Sequence, residues 1–372
     1  MKLTIERAAL LKSLTHVQSV VERRNTIPIL SNILLRAEND QLSLTATDMD
    51  LEVVETTTAE VAEAGATTTP AHTLYEIVRK LPEGSQVQIS LEPGAGRLTL
   101  SAGRSKFNLA VLPVDDFPVM SGGDLPVSFG LAAAELRGLI DRAEFAISTE
   151  ETRYYLNGIY FHATDAEGTK ILRAVATDGH RLARVEAPLP DGAENMPGVI
   201  VPRKTIGELR KLIDETGEAV DIAMSDTKIR FGFGKAILTS KLIDGTFPDY
   251  ERVIPSGNDK TLDIECKGFA DAVDRVSAIS IEKSRAVKVV LSGTTLTLSA
   301  SSPEHGTASE ELEINYDAED IEIGFNSRYL LDIAKQVKGD TLNLLMSDGS
   351  SPTILRDTDD LSALYVLMPM RV

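Results

Sequence analysis

Two periods alternate along this chain. Within residues 6–21, Leu10, Leu14, Val17 and Val21 follow the offsets that put apolar side chains on one face of a helix. The same spacing returns at Leu136, Leu139, Ile140 and Ala143 within 132–147, and at Phe269, Ala272, Val273 and Val276 within 268–280. After each stretch the period drops to two, in "IPILSNILLRAENDQLSLTAT", "YLNGIYFHATDAEGTKILRAVAT" and "VKVVLSGTTLTLSAS". Turn-formers between alternating β-branched runs predict hairpins there. A second helical face follows each time. It is Leu74, Ile77, Val78 and Leu81 in 71–81, then Ile206, Leu209 and Ile213 in 203–215, then Leu330, Ile333, Ala334 and Val337 in 326–338. Alternating strands come next, "SQVQISL", "AVDIAMS" and "TLNLLMS", before the closing phrases "LAVLPVDDFP", "LTSKLIDGTFPDY" and "LYVLMPMRV".

The order helix, strands, helix, strands therefore occurs three times, and each copy itself reads as two similar halves. The phrases "LSLTATDMDLEVVE", "LRAVATDGHRLARVE" and "LTLSASSPEHGTASEELE" carry the repeat, centred on Ala46, Ala176 and Ala300. Their spacing, about 130 residues, is that of a whole domain. "SGGDLPV" (121–127) and "IPSGNDK" (254–260) have the Gly, Ser, Pro and Asp content of linkers. The expected architecture is α+β, with three tandem like-folded domains at 1–122, 128–254 and 259–372. Each has two helices packed on antiparallel sheets. Three such domains can form an arc, and two arcs joined head to tail close into a homodimeric ring.

Hydrophobic content of 42% and charged content of 25% are those of a soluble globular protein. The first residues, "MKLTIERAALLKSL", interrupt their apolar run at Glu6 and Arg7, unlike a secretory signal. No stretch has the length of a spanning helix. Cys266 is the single cysteine and the five histidines are scattered, so a reducing cytoplasmic location without metal or cofactor is expected. The net charge of −18 argues against an ordinary nucleic-acid binder. Its distribution changes the picture: the six helical windows hold a small surplus of Lys and Arg, so the negative charge resides in strands and loops. A ring lined by those helices would hold a polyanion without sequence preference and let it slide. Modest basicity suffices where topology prevents escape.

The words "RYYLNG" (153–158), "ATDGHRLA" (176–183), "VIVPRK" (199–204), "FPDY" (247–250) and "MPMRV" (368–372) occur in an order and spacing that resemble the β subunits of bacterial DNA polymerase III, the replication sliding clamps. The resemblance runs from end to end. It implies a ring of two chains around duplex DNA that tethers the polymerase and has no catalytic activity of its own. It also implies a groove between the second and third domains for short linear peptides. Those peptides would come from the polymerase III alpha subunit, the clamp loader, and other polymerases and repair proteins. The matching positions are Leu156, Thr177, Gly179, His180, Arg181, Leu182, Pro248, Arg252, Val253, Asn326, Tyr329, Met368, Pro369, Met370 and Arg371. Leu, Val, Pro and Met suit an apolar trough, Arg and His its rim, and the two methionines can repack around several ligands.

For DNA the resemblance points to Arg24, Tyr154 and Tyr155. The helical windows add Arg79, Lys80, Arg137, Lys204, Arg210 and Lys335. Glu150 and Glu151 stand where relatives can carry uncharged side chains and are expected to oppose phosphate. Pro352 replaces a small polar residue at the groove wall and is expected to alter peptide preference. The implied dimer contact sets Phe107 and Leu109, on an end strand of the first domain, against Ile279 in the third. An apolar strand edge left open is otherwise an aggregation hazard.

Two rival classes are a hydrolase and a multivalent scaffold that never meets DNA. Asp178 and His180, with Asp48 and Asp50, could be read as metal ligands or an acid–base pair. The third copy offers Ser301, Ser302 and Pro303 instead, and no phosphate-loop motif is present: "FGFGK" (231–235) lies between strands rather than before a helix.

Overall fold

The computed structural model describes residues 1–92, 94, 96–120, 122–214, 219–280 and 285–372. Ser121 in the first linker and Glu215 at the end of a helical window lie outside them. In the first third, β1 (Lys2–Glu6), α1 (Arg7–Gln18), β2 (Asn32–Glu38), β3 (Gln41–Thr47) and β4 (Leu51–Thr58) are followed by a short β5 (Glu60–Glu63). Then come β6 (Gly65–Pro70), α2 (Ala71–Lys80), β7 (Gln86–Ser90), β8 (Arg97–Ala102) and β9 (Ser105–Ala110). The second third runs β10 (Val127–Ala132), α3 (Ala133–Asp141), β11 (Gly158–Ala166), β12 (Thr169–Thr177) and β13 (Arg181–Pro188). It continues with β14 (Val199–Pro202), α4 (Arg203–Ile213), β15 (Ala219–Met224), β16 (Lys228–Phe233) and β17 (Ala236–Lys241). The last third runs β18 (Lys260–Glu265), α5 (Cys266–Ser277), β19 (Ala286–Ser292), β20 (Thr295–Ser302) and β21 (Gly306–Glu313). It ends with β22 (Ile321–Asn326), α6 (Ser327–Ala334), β23 (Thr341–Met346), β24 (Thr353–Asp357) and β25 (Ala363–Leu367).

Each third is thus two β-α-β-β-β halves, and the halves exchange their first strands. β1 pairs with β7, while β6 pairs with β2. The same exchange joins β10 to β15 and β14 to β11, then β18 to β23 and β22 to β19. The short strand ahead of each helix escapes the sequence pattern because four to six residues give too few alternations to count.

Helix extents follow their buried faces. Leu10, Leu14 and Val17 of α1 are buried, as are Phe269, Ala272, Val273 and Val276 of α5. Caps fix the starts. Glu6 accepts from Ala9 N at 3.1 Å, and Asn326 accepts from Arg328 N and Tyr329 N at 3.0 and 3.3 Å. The windows run past their α-helices, furthest at 132–147 and 326–338. Beyond α6, Gln336 N donates to Ile333 O and Val337 N to Ala334 O; beyond α3, Ala143 N donates to Ile140 O and Ala146 N to Ala143 O. These three-residue bonds tighten the chain after the last α turn while keeping the apolar face inward.

Compactness divides the chain differently from the repeat. Unit 1 comprises residues 1–137, 190–197 and 204–242; unit 2 comprises 138–189, 198–203 and 243–372. The middle third contributes to both, because hydrogen-bonded ladders carry sheets from one third into the next. In unit 1 an eight-stranded sheet has the order β10-β15-β16-β17-β4-β3-β2-β6, and β5-β1-β7-β8-β9 form a second sheet. In unit 2 the eight-stranded order is β14-β11-β12-β13-β25-β24-β23-β18, beside a sheet β21-β20-β19-β22. The joining ladders are β17·β4, with Leu238 opposite Val53, and β13·β25, with Tyr365 opposite Ala183.

Candidate functional site

The repeated "ATD" phrase is a turn. In unit 2, Thr177 Oγ1 donates to Arg181 O at 2.7 Å and accepts from Gly179 N at 3.1 Å. Asp178 Oδ1 accepts from His180 N and Arg181 N at 2.9 and 3.0 Å. Gly179 has φ of +87°, and a Cβ there would lie 2.6 Å from Arg153 Nη1. The turn therefore requires glycine both for its backbone and for the guanidinium packed on it. It leaves Gly179 and His180 exposed.

Arg181, expected at a rim, lies beneath it with a side chain 9% exposed. Its Nη1 donates to Asp332 at 2.7 Å, its Nη2 to Phe145 O at 2.5 Å, and its Nε to Asp178 at 3.1 Å. The guanidinium also sits 4.3 Å from the Tyr329 ring centroid, and that ring stacks against His180 at 6.3 Å and 23°. Arg181 is a positioning group, each of its three nitrogens donating to the fold. The rim cations are Arg252, whose side chain is 85% exposed and paired with Asp249 at 2.7 Å, and the exposed Arg371.

The last residues are strapped alongside. Met368 N donates to His180 O and Met370 N to Gly324 O, both at 2.9 Å. Met368 keeps 36% of its surface exposed, while Pro369 and Met370 are half-buried. Pro248 and Val253 are exposed on the opposite loop. Asn326, as the cap of α6, is committed to backbone amides.

Beneath these residues lies an apolar floor whose members include Leu156, Val175, Leu182, Phe247, Ile354, Leu364 and Val366. Leu156 and Leu182 are among the positions the resemblance implies; the others are not, although Phe247 stands in "FPDY". Tyr250 ties this floor to a buried polar layer. Its hydroxyl meets His162 Nε2 at 2.9 Å and Arg173 Nη1 at 3.1 Å, and Arg173 binds Glu186 and Glu251 at 2.7 and 2.5 Å. Burial pushes the His162 pKa below the ordinary histidine value. Pro352 O accepts from Asn258 Nδ2 at 2.9 Å. The arrangement, at the place of the expected trough, is an apolar cluster edged by an exposed methionine and exposed cations, which suits holding a peptide rather than moving a proton.

The residues singled out for DNA differ in their freedom. Arg24 is exposed and has no ion-pair partner among the described residues. Tyr154 is 54% exposed, whereas Tyr155 packs against the apolar floor. Glu150 is held by Arg153 at 2.7 Å, so half of the expected opposition to phosphate is neutralised; Glu151 remains exposed. Arg79 and Lys80 share Glu76, Arg137 pairs with Asp214, and Lys335 lies 3.8 Å from Asp332. Arg210 is exposed. Lys204 binds Asp48 at 2.5 Å and Glu22 at 3.1 Å. Burial works to lower its pKa, but these two carboxylates raise it above the ordinary lysine value.

At the implied dimer contact, β9 and β21 are each the last strand of their sheet. Phe107 is half-buried on β9, but Leu109 is 8% exposed and faces its own core. Ile279 is half-buried in the turn after α5.

Two clefts lie apart from the trough. One of about 430 Å³ is lined by Lys12, His16, Glu55 and Lys235 in unit 1, the other of about 460 Å³ by Cys266, Asp271 and Lys335 in unit 2. Of the carboxylates offered for a hydrolase, Asp178 holds the turn described above, Asp48 accepts from Asp50 N and Leu51 N, and Asp50 pairs with Lys241. Among the described residues no group of three or more His, Cys, Asp or Glu is placed to hold a metal ion, and no helix is long and apolar enough to cross a membrane.

Comparison with known proteins gives one answer along the whole chain. Residues 1–121, 130–249 and 251–371 match the N-terminal, central and C-terminal domain models of the DNA polymerase III beta subunit. The chain is 57% identical to the beta sliding clamp of Caulobacter vibrioides and 41% identical to that of Vibrio cholerae, covering 100% of each. A crystal structure of the Caulobacter crescentus clamp superposes with a TM-score of 0.98, covering 100% of this chain and 99% of that one. The Bartonella birtlesii clamp bound to griselimycin, 50% identical, gives 0.97 with full coverage of both.

Proposed function

This chain belongs to the DNA polymerase III beta subunit family, the bacterial sliding clamps, and we propose that it acts as a head-to-tail homodimeric ring around duplex DNA. It is a DNA sliding clamp, a non-catalytic processivity factor built of three tandem clamp domains, for which we take the limits 1–122, 128–254 and 259–372. In the cytoplasm, the ring would tether the polymerase III alpha subunit and, through the same trough, other polymerases, repair proteins and the clamp loader.

The order of strand pairing carries the ring. In both seams the last strand of a domain's second half pairs with the last strand of the preceding domain's first half: β17 with β4, and β25 with β13. Applied once more, the rule leaves β9 without a predecessor and β21 without a successor. A second copy supplies each. Register follows too. Leu238 and Tyr365 occupy the place of Phe107, and Val53 and Ala183 that of Ala308, counted from the hairpin pairs within each sheet. Large faces small at both seams, so Phe107 should face Ala308 of a second chain, with Cα atoms about 4.5–5.5 Å apart.

Cysteines at Phe107 and Ala308 should therefore oxidise to a covalently closed dimer. Moving the second cysteine to Glu310, two residues along the strand, should abolish cross-linking. A chain that stays monomeric with the first pair would overturn the ring.

A further inference from the structure

Three arginines share one face of the eight-stranded sheet in unit 2. Arg173 lies on β12, Arg184 on β13 and Arg356 on β24. Strand alternation puts Arg184 on the face of Leu182 and Arg356 on the face of Ile354, and both apolar residues belong to the trough floor. Arg184 is opposite Leu364, and the β24–β25 ladder brings Arg356 to the far side of that same leucine. Arg184 and Arg356 thus flank the floor residue Leu364, about 7 Å along their strands from Leu182 and Ile354.

Three arginines share two carboxylates here: Arg173 holds Glu186 at 2.7 Å and Glu251 at 2.5 Å, and Glu186 is also the ion-pair partner of Arg184. Arg184 Nε stands 3.2 Å from Glu186 Oε1 without hydrogen-bond geometry, and Arg356 Nε is buried with no acceptor among the described residues. Burial depresses the Arg184 pKa against the opposing pull of Glu186, and the neighbouring Arg173 and Arg356 add to the depression. A guanidinium N–H withdrawn from water without an acceptor is destabilising, and an arriving anion reverses that. In a chain of net charge −18, a cation pair short of carboxylates bordering a binding trough is a selective feature rather than a solvated surface.

We propose that Arg184 and Arg356 form an anion subsite that takes an acidic side chain of the docked peptide, next to its apolar anchors. The proposal rests on the trough being the peptide site. A peptide seated on Leu182, Ile354 and Val366 brings its neighbouring residue within reach of this row, and planar guanidinium groups match a carboxylate in two-point geometry.

Fluorescence anisotropy on the full-length protein tests this with two synthetic peptides of equal apolar content, one carrying Glu beside the anchors and the other Gln. The Glu peptide should bind about five- to tenfold more tightly at low salt. Arg356→Gln and Arg184→Gln should each erase that advantage while leaving the Gln peptide's Kd unchanged. Arg356→Glu should transfer the preference to a Lys peptide, which a merely damaged fold would not do. Equal affinity of the native protein for the Glu and Gln peptides, or equal losses for both in the variants, would overturn the subsite. If the Gln peptide fails to bind the native protein at all, the trough reading fails and the subsite with it.

Discussion

The turns Thr47–Leu51 and Thr177–Arg181 are the same object in two settings. In unit 1, Thr47 Oγ1 donates to Leu51 O at 2.9 Å and accepts from Met49 N at 3.0 Å, and Asp48 accepts from Asp50 N and Leu51 N. Each bond has its counterpart in unit 2. The third residue has positive φ in both, +79° at Met49 and +87° at Gly179. What differs is charge. Around the first turn Asp48 and Asp50 draw in Lys204 and Lys241, at 2.5 and 2.9 Å, and the surface is closed by ion pairs. Around the second, Arg181 is drawn down to Asp332 and Phe145, and the top is left as Gly179, His180 and Met368. The backbone repeats. The surface proposed for docking lies where the cation has been turned inward.

The strongest way to break that contrast is Asp332→Ala. It leaves the buried Arg181 with Asp178 as its one remaining carboxylate partner, and removing one partner of a buried ion pair costs about 3 kcal/mol. Thermal unfolding should fall by several degrees, and peptide affinity should fall with it because Tyr329 loses the guanidinium beneath its ring. Unchanged affinity would mean that Arg181 does not shape the trough.

Exchanging the third residues gives a smaller effect of opposite sign in the two units. Gly179→Met should cost about 1–2 kcal/mol for a side chain at positive φ and dislodge Arg153, weakening peptide binding. Met49→Gly relieves the same strain and should stabilise by up to about 1 kcal/mol. Calorimetry of both variants decides the matter: losses in both would show that the turns are not equivalent.

Much of this was legible in the chain. The helical faces emerged because their periodicity is long enough to count, and the trough's Met368 and His180 stood in recognisable words. Arg181 was misplaced for a physical reason. Sequence gives a cation its type but not its partners, and Asp332 lies 151 residues away. Lys204 shows the same gap, since its partners Glu22 and Asp48 come from the first third of the chain. The exchange of first strands was invisible because β14 spans only four residues.

The smallest effect concerns Lys204. Its side chain is 37% exposed, so Lys204→Ala should cost less than about 1 kcal/mol. With its charge already compensated, it should change the salt dependence of DNA retention less than Arg24→Ala does. The reverse order, measured by loading assays across a salt series, would show that the unit 1 ion pairs open on DNA.

The claim beneath all of these is enclosure. Protein loaded on a closed circular duplex should remain bound through gel filtration in salt that screens phosphate contacts, and should be released when the circle is cut once. Equal retention on the cut and uncut duplex would contradict a ring and place the hold on DNA in chemical contacts instead.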